Sequence, residues 1–208
     1  MVKQERAGRT RRAVLLAAAE TFARVGFEAA SLVDISRRAG VSKGALYFHF
    51  VSKQALADGV RCAAGREVGS AALRALRAEG PALQGLIDFS HELAGMLRED
   101  VVVRAGIRLG RPGPPRRDGA PGPVGPDVAW RSLTAVVHRL LDRAAEAGEL
   151  CAGVDRRAAA ELLTAAAAGQ VLLAGEETDR PGPEAVSRLW TAALPALVAA
   201  EHRGGYRV

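Results

Sequence analysis

Apolar residues in the first third of the chain recur at helical spacing. Val14, Ala18, Phe22 and Val25 fall on one face of a helix predicted over about Thr10–Val25, and Gly26 is placed to stop it. Ser31 can cap a second helix of about two turns. Asp34, three residues on, takes the acidic position of a capping-box-like arrangement, and Ile35 and Ala39 supply an inward stripe that ends at Gly40. After the Gly40-Val41 turn, Ser42 can cap a third short helix through about Phe48. Ser52 can start a fourth that carries Leu56 and Val60 onward to about Arg77.

From Leu83 to the end, alanine, leucine and valine predominate at helical spacing. One interruption is GRPGPPRRDGAPGPVGP, between Gly110 and Pro126, which no regular helix or strand can cross, because proline lacks an amide donor and disfavours helix for its predecessor. Helices are expected again over about Val128–Ala147, Arg156–Ala174 and Glu184–Glu201. No strand-like alternation of useful length appears. The fold class predicted is all-α: a small three-helix N-terminal module over residues 1–52 and a larger, apolar helical bundle over residues 53–208.

Composition narrows the function classes. Of a net charge of +6, most sits at the start: residues 1–60 carry ten Lys or Arg against five Asp or Glu, and the rest nineteen against eighteen. A basic end on a near-neutral body fits a polyanionic partner, though a solvated basic face would look the same. No apolar run approaches the roughly 18 residues of a membrane span, and MVKQERAGRTRR lacks the apolar stretch of a secretory signal. A cytoplasmic protein with no membrane partner is expected. Cys62 and Cys151 are far apart with no CxxC partner, so no metal site or cofactor is expected and both read as packing residues. No phosphate loop, GxSxG, HExxH or framed pair of carboxylates is present, and the four histidines are scattered, which argues against an enzyme.

The chemistry concentrates in SLVDISRRAGVSKGALYFHF, residues 31–50. A helix-turn-helix needs a short helix, a tight turn with glycine, and a second helix slim enough to enter a major groove. Ala39-Gly40-Val41 supplies the turn, with Val41 directed to the core, and Gly44 and Ala45 keep the leading surface small. Lys43, Tyr47, His49 and Lys53 are suited to phosphate oxygens beside free helix N-terminal amides. Phe50 reads as core. His49 reads equally well as a structural or capping residue.

GVSKGALYFHFVSKQAL resembles the recognition-helix signature of the TetR family, and the likeness extends back through AAAETFARVGFEAASLVDISRRAG. The resemblance implies a repressor that binds a palindromic operator in double-stranded DNA as a homodimer and lets go when a small hydrophobic molecule enters its C-terminal domain. Ser31, Lys43, Gly44, Tyr47, His49 and Lys53 occupy the family's DNA-contacting positions, and Arg9 and Thr10 lie where an N-terminal arm touches the backbone. KQERAGRTRRAVLLAAAETF, GALYFHF, VVVRAGIRLG and a tryptophan after a proline-rich loop further resemble the gamma-butyrolactone autoregulator receptors, which govern antibiotic production. Trp130 matches the tryptophan of that subfamily's ligand pocket. The basic loop, with Arg111, Arg116 and Arg117, also resembles pseudo-receptors that answer to an antibiotic or other ligand, and the two readings stay open.

Trp130 opens an amphipathic helix among small side chains, which suits either a pocket wall or core packing. Leu93, Ile107, Leu109, Leu133 and Leu163 are further candidates for apolar lining. RRAAAELLTAAAAGQVLLAG and PEAVSRLWTAALPALVAA offer more apolar surface than one buried face requires. Ala165, Ala168 and Gly169 allow close helix approach, and Trp190 is a candidate anchor, so a four-helix dimer interface is expected. An architectural DNA binder without an effector is the competing class, and it would have no need of so large an apolar second domain.

Overall fold

The computed structural model describes residues 2–110, 128–173 and 182–208, and side chains from residue 5 onward. The proline-rich run with Arg111, Arg116 and Arg117, and Ala174 at the expected end of one helix, lie outside the described residues. All regular elements among the described residues are helical. They are α1 (Val2–Ala29), α2 (Leu32–Arg38), α3 (Lys43–His49), α4 (Lys53–Arg77), α5 (Ala82–Glu99), α6 (Val101–Leu109), α7 (Val128–Glu146), α8 (Arg156–Leu173) and α9 (Pro183–Leu197), followed by a 3₁₀ segment, Ala200–Gly205.

The chain divides into two compact units, and they are not its sequential halves. The first comprises Met1–Arg66 and Asp100–Ala129, the second Glu67–Glu99 and Trp130–Val208, so α4 contributes to both. A cut at residue 52 would assign α6 to the bundle, whereas α6 packs on α1. The cause is local. Asp100 caps α6 by accepting from the amides of Val102 and Val103 at 2.7 and 3.2 Å. Val101, Val102 and Leu109 then close over the core built by Val14, Ala18, Phe22, Ile35, Leu46, Phe50 and Leu56. Gly106 is required there, since a Cβ would meet that of Ala64 at 2.4 Å and the Val60 carbonyl oxygen at 2.9 Å.

Helix α1 begins eight residues earlier than its apolar stripe suggests, and Gly26 interrupts it at φ 77° and ψ 171°, a backbone that favours glycine, before one further turn. Gly40, at φ 65°, makes the tight turn between α2 and α3. Ser31 caps α2 through the amide of Val33 at 3.2 Å, not that of Asp34. The Asp34 carboxylate instead pairs with Arg37 at 3.3 Å, so no reciprocal capping box forms.

In the second unit, α5, α7, α8 and α9 bury Leu83, Leu86, Ile87, Leu133, Leu140, Val171 and Trp190. Glu149, in the turn after α7, caps α5 from outside by accepting from the amides of Ala82 and Leu83 at 2.7 and 2.9 Å. Tyr206 donates to the same carboxylate at 3.3 Å. The backbone of Arg207 is held through both its amide and its carbonyl by Gln84. Helix α9 ends at Leu197 rather than Glu201: Val198 turns extended, and the Arg203 guanidinium takes up the carbonyls of Val198 and Pro195 at 2.9 and 3.1 Å. Cys62 is exposed on α4 rather than packed, and Cys151 is half-buried.

Candidate functional site

Helix α3 is short and is held by a few strong anchors. The Ser42 hydroxyl accepts from the amide of Ala45 at 3.1 Å and satisfies one orphan donor of the first turn. Leu46 is fully buried and Phe50 nearly so. The Phe50 ring lies where a Cβ on Gly59 would touch it, and the Arg11 guanidinium sits 5.2 Å from its centroid. Val41 packs against the same core.

What remains on the outer face is Lys43, Gly44, Tyr47 and Phe48, all exposed. The Lys43 ammonium lies 5.8 Å from the Tyr47 ring centroid, so charge and aromatic surface sit together at the start of the helix. A Cβ on Gly44 would meet nothing nearer than the Ser42 hydroxyl at 4.0 Å, so the fold does not require glycine there. Phe48 is 81% exposed and meets the half-buried His49 ring edge-on at 5.2 Å between centroids. The exposure of Phe48 has no signal in the sequence, because an aromatic among core aromatics carries no sign of which way it points.

The other expected DNA contacts have defined places. Arg9 and Thr10 ride on the early turns of α1 rather than on an extended arm. Arg9 is loosely paired with Glu5 at 4.0 Å, and the Thr10 hydroxyl donates to the Arg6 carbonyl at 3.0 Å. Ser31 is occupied as the cap of α2. Lys53 donates to the carbonyls of Glu28 and Ala30 at 2.9 and 3.2 Å.

Within the second unit, α5, α7, α8 and α9 line a partly open cavity of about 30 Å³. Its wall is apolar, from Leu86, Phe89, Leu93, Leu133, Val137, Leu163, Ala166, Ala167 and Leu189, with Ser90 and Gln170 as polar groups. Leu93, Leu133 and Leu163 are therefore brought together as expected. Ile107 and Leu109 are not: both belong to the first unit, where Leu109 covers the core beside α1. Trp130 stands one turn before Leu133 on α7, half-buried, and is not part of the wall of this small cavity.

Helix α8 carries an open apolar strip. Leu162, Leu172 and Leu173 are 64%, 55% and 54% exposed, with Ala165 also exposed and Gly169 facing open space between them. Ala168 lies half-buried at the edge of the strip. Trp190 is 0% exposed, so within a single chain it is core and offers no surface to a partner.

The family model described as bacterial regulatory proteins, tetR family, matches residues 14–60, which hold α2, α3 and the start of α4. Over 198 residues the chain is 35% identical to the A-factor receptor protein of Streptomyces griseus, covering 95% of this chain and 67% of that one. The chain belongs to the TetR family. A crystal structure of a gamma-butyrolactone receptor (ArpA-like protein) matches this TetR-family chain with a TM-score of 0.80 and 27% identity, covering 97% of it and 94% of the receptor. CprB from Streptomyces coelicolor, solved in complex with its biological operator sequence, matches with a TM-score of 0.77 and 26% identity, covering 97% and 94%. The chain is thus a TetR-family DNA-binding regulator close to the gamma-butyrolactone receptors, and its relatives are regulators, not enzymes. Among the described residues no helix is long and apolar enough to cross a membrane, and no cluster of residues is suited to a metal ion.

Proposed function

We propose that this TetR-family regulator is a cytoplasmic homodimeric repressor that grips a palindromic operator with two copies of α3 and releases it when a small hydrophobic ligand enters the α5/α7/α8/α9 cavity. The observation that carries the DNA reading is the outer face of α3. Lys43, Gly44, Tyr47 and Phe48 are all exposed on a helix whose inner face is fixed by Leu46 and Phe50. Gly44 lets the backbone approach base edges, Lys43 and the Tyr47 hydroxyl reach phosphates, and Phe48 is suited to a thymine methyl. Arg9 and Thr10, at the positions the resemblance assigns to backbone contact, are the phosphate partners on α1, and the weak exposed pair with Glu5 leaves Arg9 easily recruited.

Two half-sites one helical turn apart, roughly 34 Å, call for a dimer of matching spacing. The α8 strip of Leu162, Ala165, Gly169, Leu172 and Leu173 supports that pairing, with Ala168 at its rim, because small residues let two copies approach closely and the leucines would otherwise face water.

The cavity supports ligand control in a particular form. At about 30 Å³ it holds a water, whereas ligand pockets run to roughly 300–1,000 Å³. Entry of a ligand must therefore push these helices apart, which gives the ligand different affinities for two forms of the protein, the condition for any population shift. Trp130, Leu133 and Val137 share one face of α7, so an enlarged cavity reaches Trp130. Likeness to the A-factor receptor and to gamma-butyrolactone receptors supports a gamma-butyrolactone-type signal as the ligand, with antibiotic biosynthesis as the process controlled.

The test is a gel shift with the DNA upstream of the protein's own gene, repeated with a gamma-butyrolactone and with a panel of antibiotics. Release by the butyrolactone at micromolar concentration is expected, and Trp130→Ala should bind the same DNA without being released. Release by antibiotics alone would make the protein a pseudo-receptor, and no specific shift would overturn the DNA reading.

A further inference from the structure

Lys53 opens α4, and its ammonium makes three interactions at once. Nζ donates to the carbonyl of Glu28 at 2.9 Å and to that of Ala30 at 3.2 Å, and it lies 4.7 Å from the centroid of the Phe27 ring. The Glu28 carbonyl lies in the last turn of α1, beyond the Gly26 kink, and the Ala30 carbonyl on the residue that follows the helix; that last turn has no basic residue of its own. The last carbonyls of a helix lack partners within it and carry the negative end of its dipole. A cation with N–H donors satisfies both needs, and the ring face below adds a third attraction. Lys53 therefore serves α1 as a C-terminal cap that arrives from another helix.

The place it caps is a joint. Ala30 and Ser31 connect α1 to α2, and the Ser31 hydroxyl starts α2 at the amide of Val33. On the other side, residues 50–52 connect α3 to α4, with Phe50 buried against Gly59 and Leu15 and the Ser52 hydroxyl accepting from Ala55 at 3.0 Å. The first turn of α4 is thus bound to both ends of the helix-turn-helix. It reaches α3 through the chain and the α1–α2 joint through Lys53.

We infer that Lys53 is a positioning residue: its ammonium fixes the α1–α2 joint to the first turn of α4, so that the setting of α2 and α3 follows α4, and it is not spent on a DNA phosphate. This rests on the DNA-binding reading above, and one arm of its test does not use DNA.

The variant is Lys53→Met in the full chain, which keeps the stem and removes the donors, with Lys43→Met as a comparison for an exposed lysine. Affinity is measured across a salt series for the protein's own upstream DNA and for poly(dI-dC), and amide hydrogen exchange over residues 28–33 is followed without DNA. Lys53→Met should speed that exchange at least tenfold and weaken upstream-DNA binding at least tenfold, while poly(dI-dC) affinity and its salt slope stay at wild-type values. A general loss of folded protein would lower both affinities together. Lys43→Met should lower poly(dI-dC) affinity and reduce the slope of log K against log salt by about 0.9, as loss of one phosphate contact does.

The inference is overturned if Lys53→Met reduces the poly(dI-dC) slope by about that amount and leaves the exchange unchanged. Should Lys53→Met fail to fold, Phe27→Leu removes the ring beneath the ammonium and leaves the lysine charge in place. Weakened upstream-DNA binding with an unaltered poly(dI-dC) slope is then expected, and wild-type affinity for both would overturn the inference. If the wild-type protein shows no preference for its upstream DNA, the repressor reading fails and the exchange arm still decides the role of Lys53.

Discussion

Gly44 is the residue at which function and folding part most cleanly. It sits in the first turn of α3 with open space around the position of a Cβ, so nothing in the packing demands glycine. Glycine in a helix costs roughly 0.5–1 kcal/mol relative to alanine. Gly44→Ala should therefore leave the thermal midpoint unchanged or slightly raised and weaken binding to the upstream DNA by about tenfold, which is about 1.4 kcal/mol. Calorimetry and a gel shift on one preparation check both halves, and undiminished DNA binding would remove Gly44 from the interface. Gly40, Val41 and Phe50 were legible because their signals are local: a turn that needs positive φ, and apolar residues at fixed distances from it. Lys53, Phe48 and Trp190 were not, since a residue's type does not tell which neighbour from a distant segment will meet it. Trp190 shows the consequence. Its burial within one chain means that Trp190→Ala should cost about 3–5 kcal/mol of stability, seen in urea unfolding, instead of merely loosening a dimer.

At the scale of elements, helix positions were readable from apolar spacing, and their partners were not. The stripe of α6 marks a face to be buried, but either unit offers an apolar surface. The fit of Gly106 against Ala64 and Val60 of α4, with Val101, Val102 and Leu109 closing on the core beside α1, selects the first unit over the bundle. For α8 the surplus of apolar residues was legible and the exposed leucines on it were not singled out. Leu172→Glu together with Leu173→Glu should leave each chain folded, because both side chains already face water in the single chain, and should halve the mass in sedimentation. An unchanged mass would place the interface elsewhere. The C-terminal segment gives a pH-dependent prediction. Burial first, then the charge of Glu149 and the hydrogen bond to it, push the Tyr206 hydroxyl from its ordinary 10.0 up to about 12. The folded state thus favours the neutral phenol. Its stabilising contribution is complete below pH 10 and is lost as the pH rises through about 12. Urea unfolding should show stability falling between pH 10 and about 12, and Tyr206→Phe should remove that part of the fall.

For the whole molecule, the two compact units were only partly legible. The basic N-terminal segment and the apolar remainder are visible in composition, whereas the packing of α6 in the first unit depends on contacts distant in sequence. Recognition of a palindrome by a ligand-released dimer needs two α3 helices presented about one DNA turn apart and a bundle whose small cavity widens to admit a ligand. A near-complete switch between two such forms needs about 5.5 kcal/mol of differential ligand affinity, which sets the scale against which any candidate ligand is judged. The most direct test is a footprint of the wild-type protein on the DNA upstream of its own gene. Protection of one short palindrome whose half-sites are centred about one helical turn apart, roughly 34 Å, is the predicted result. Diffuse protection along the fragment, or a single unpaired half-site, would contradict it.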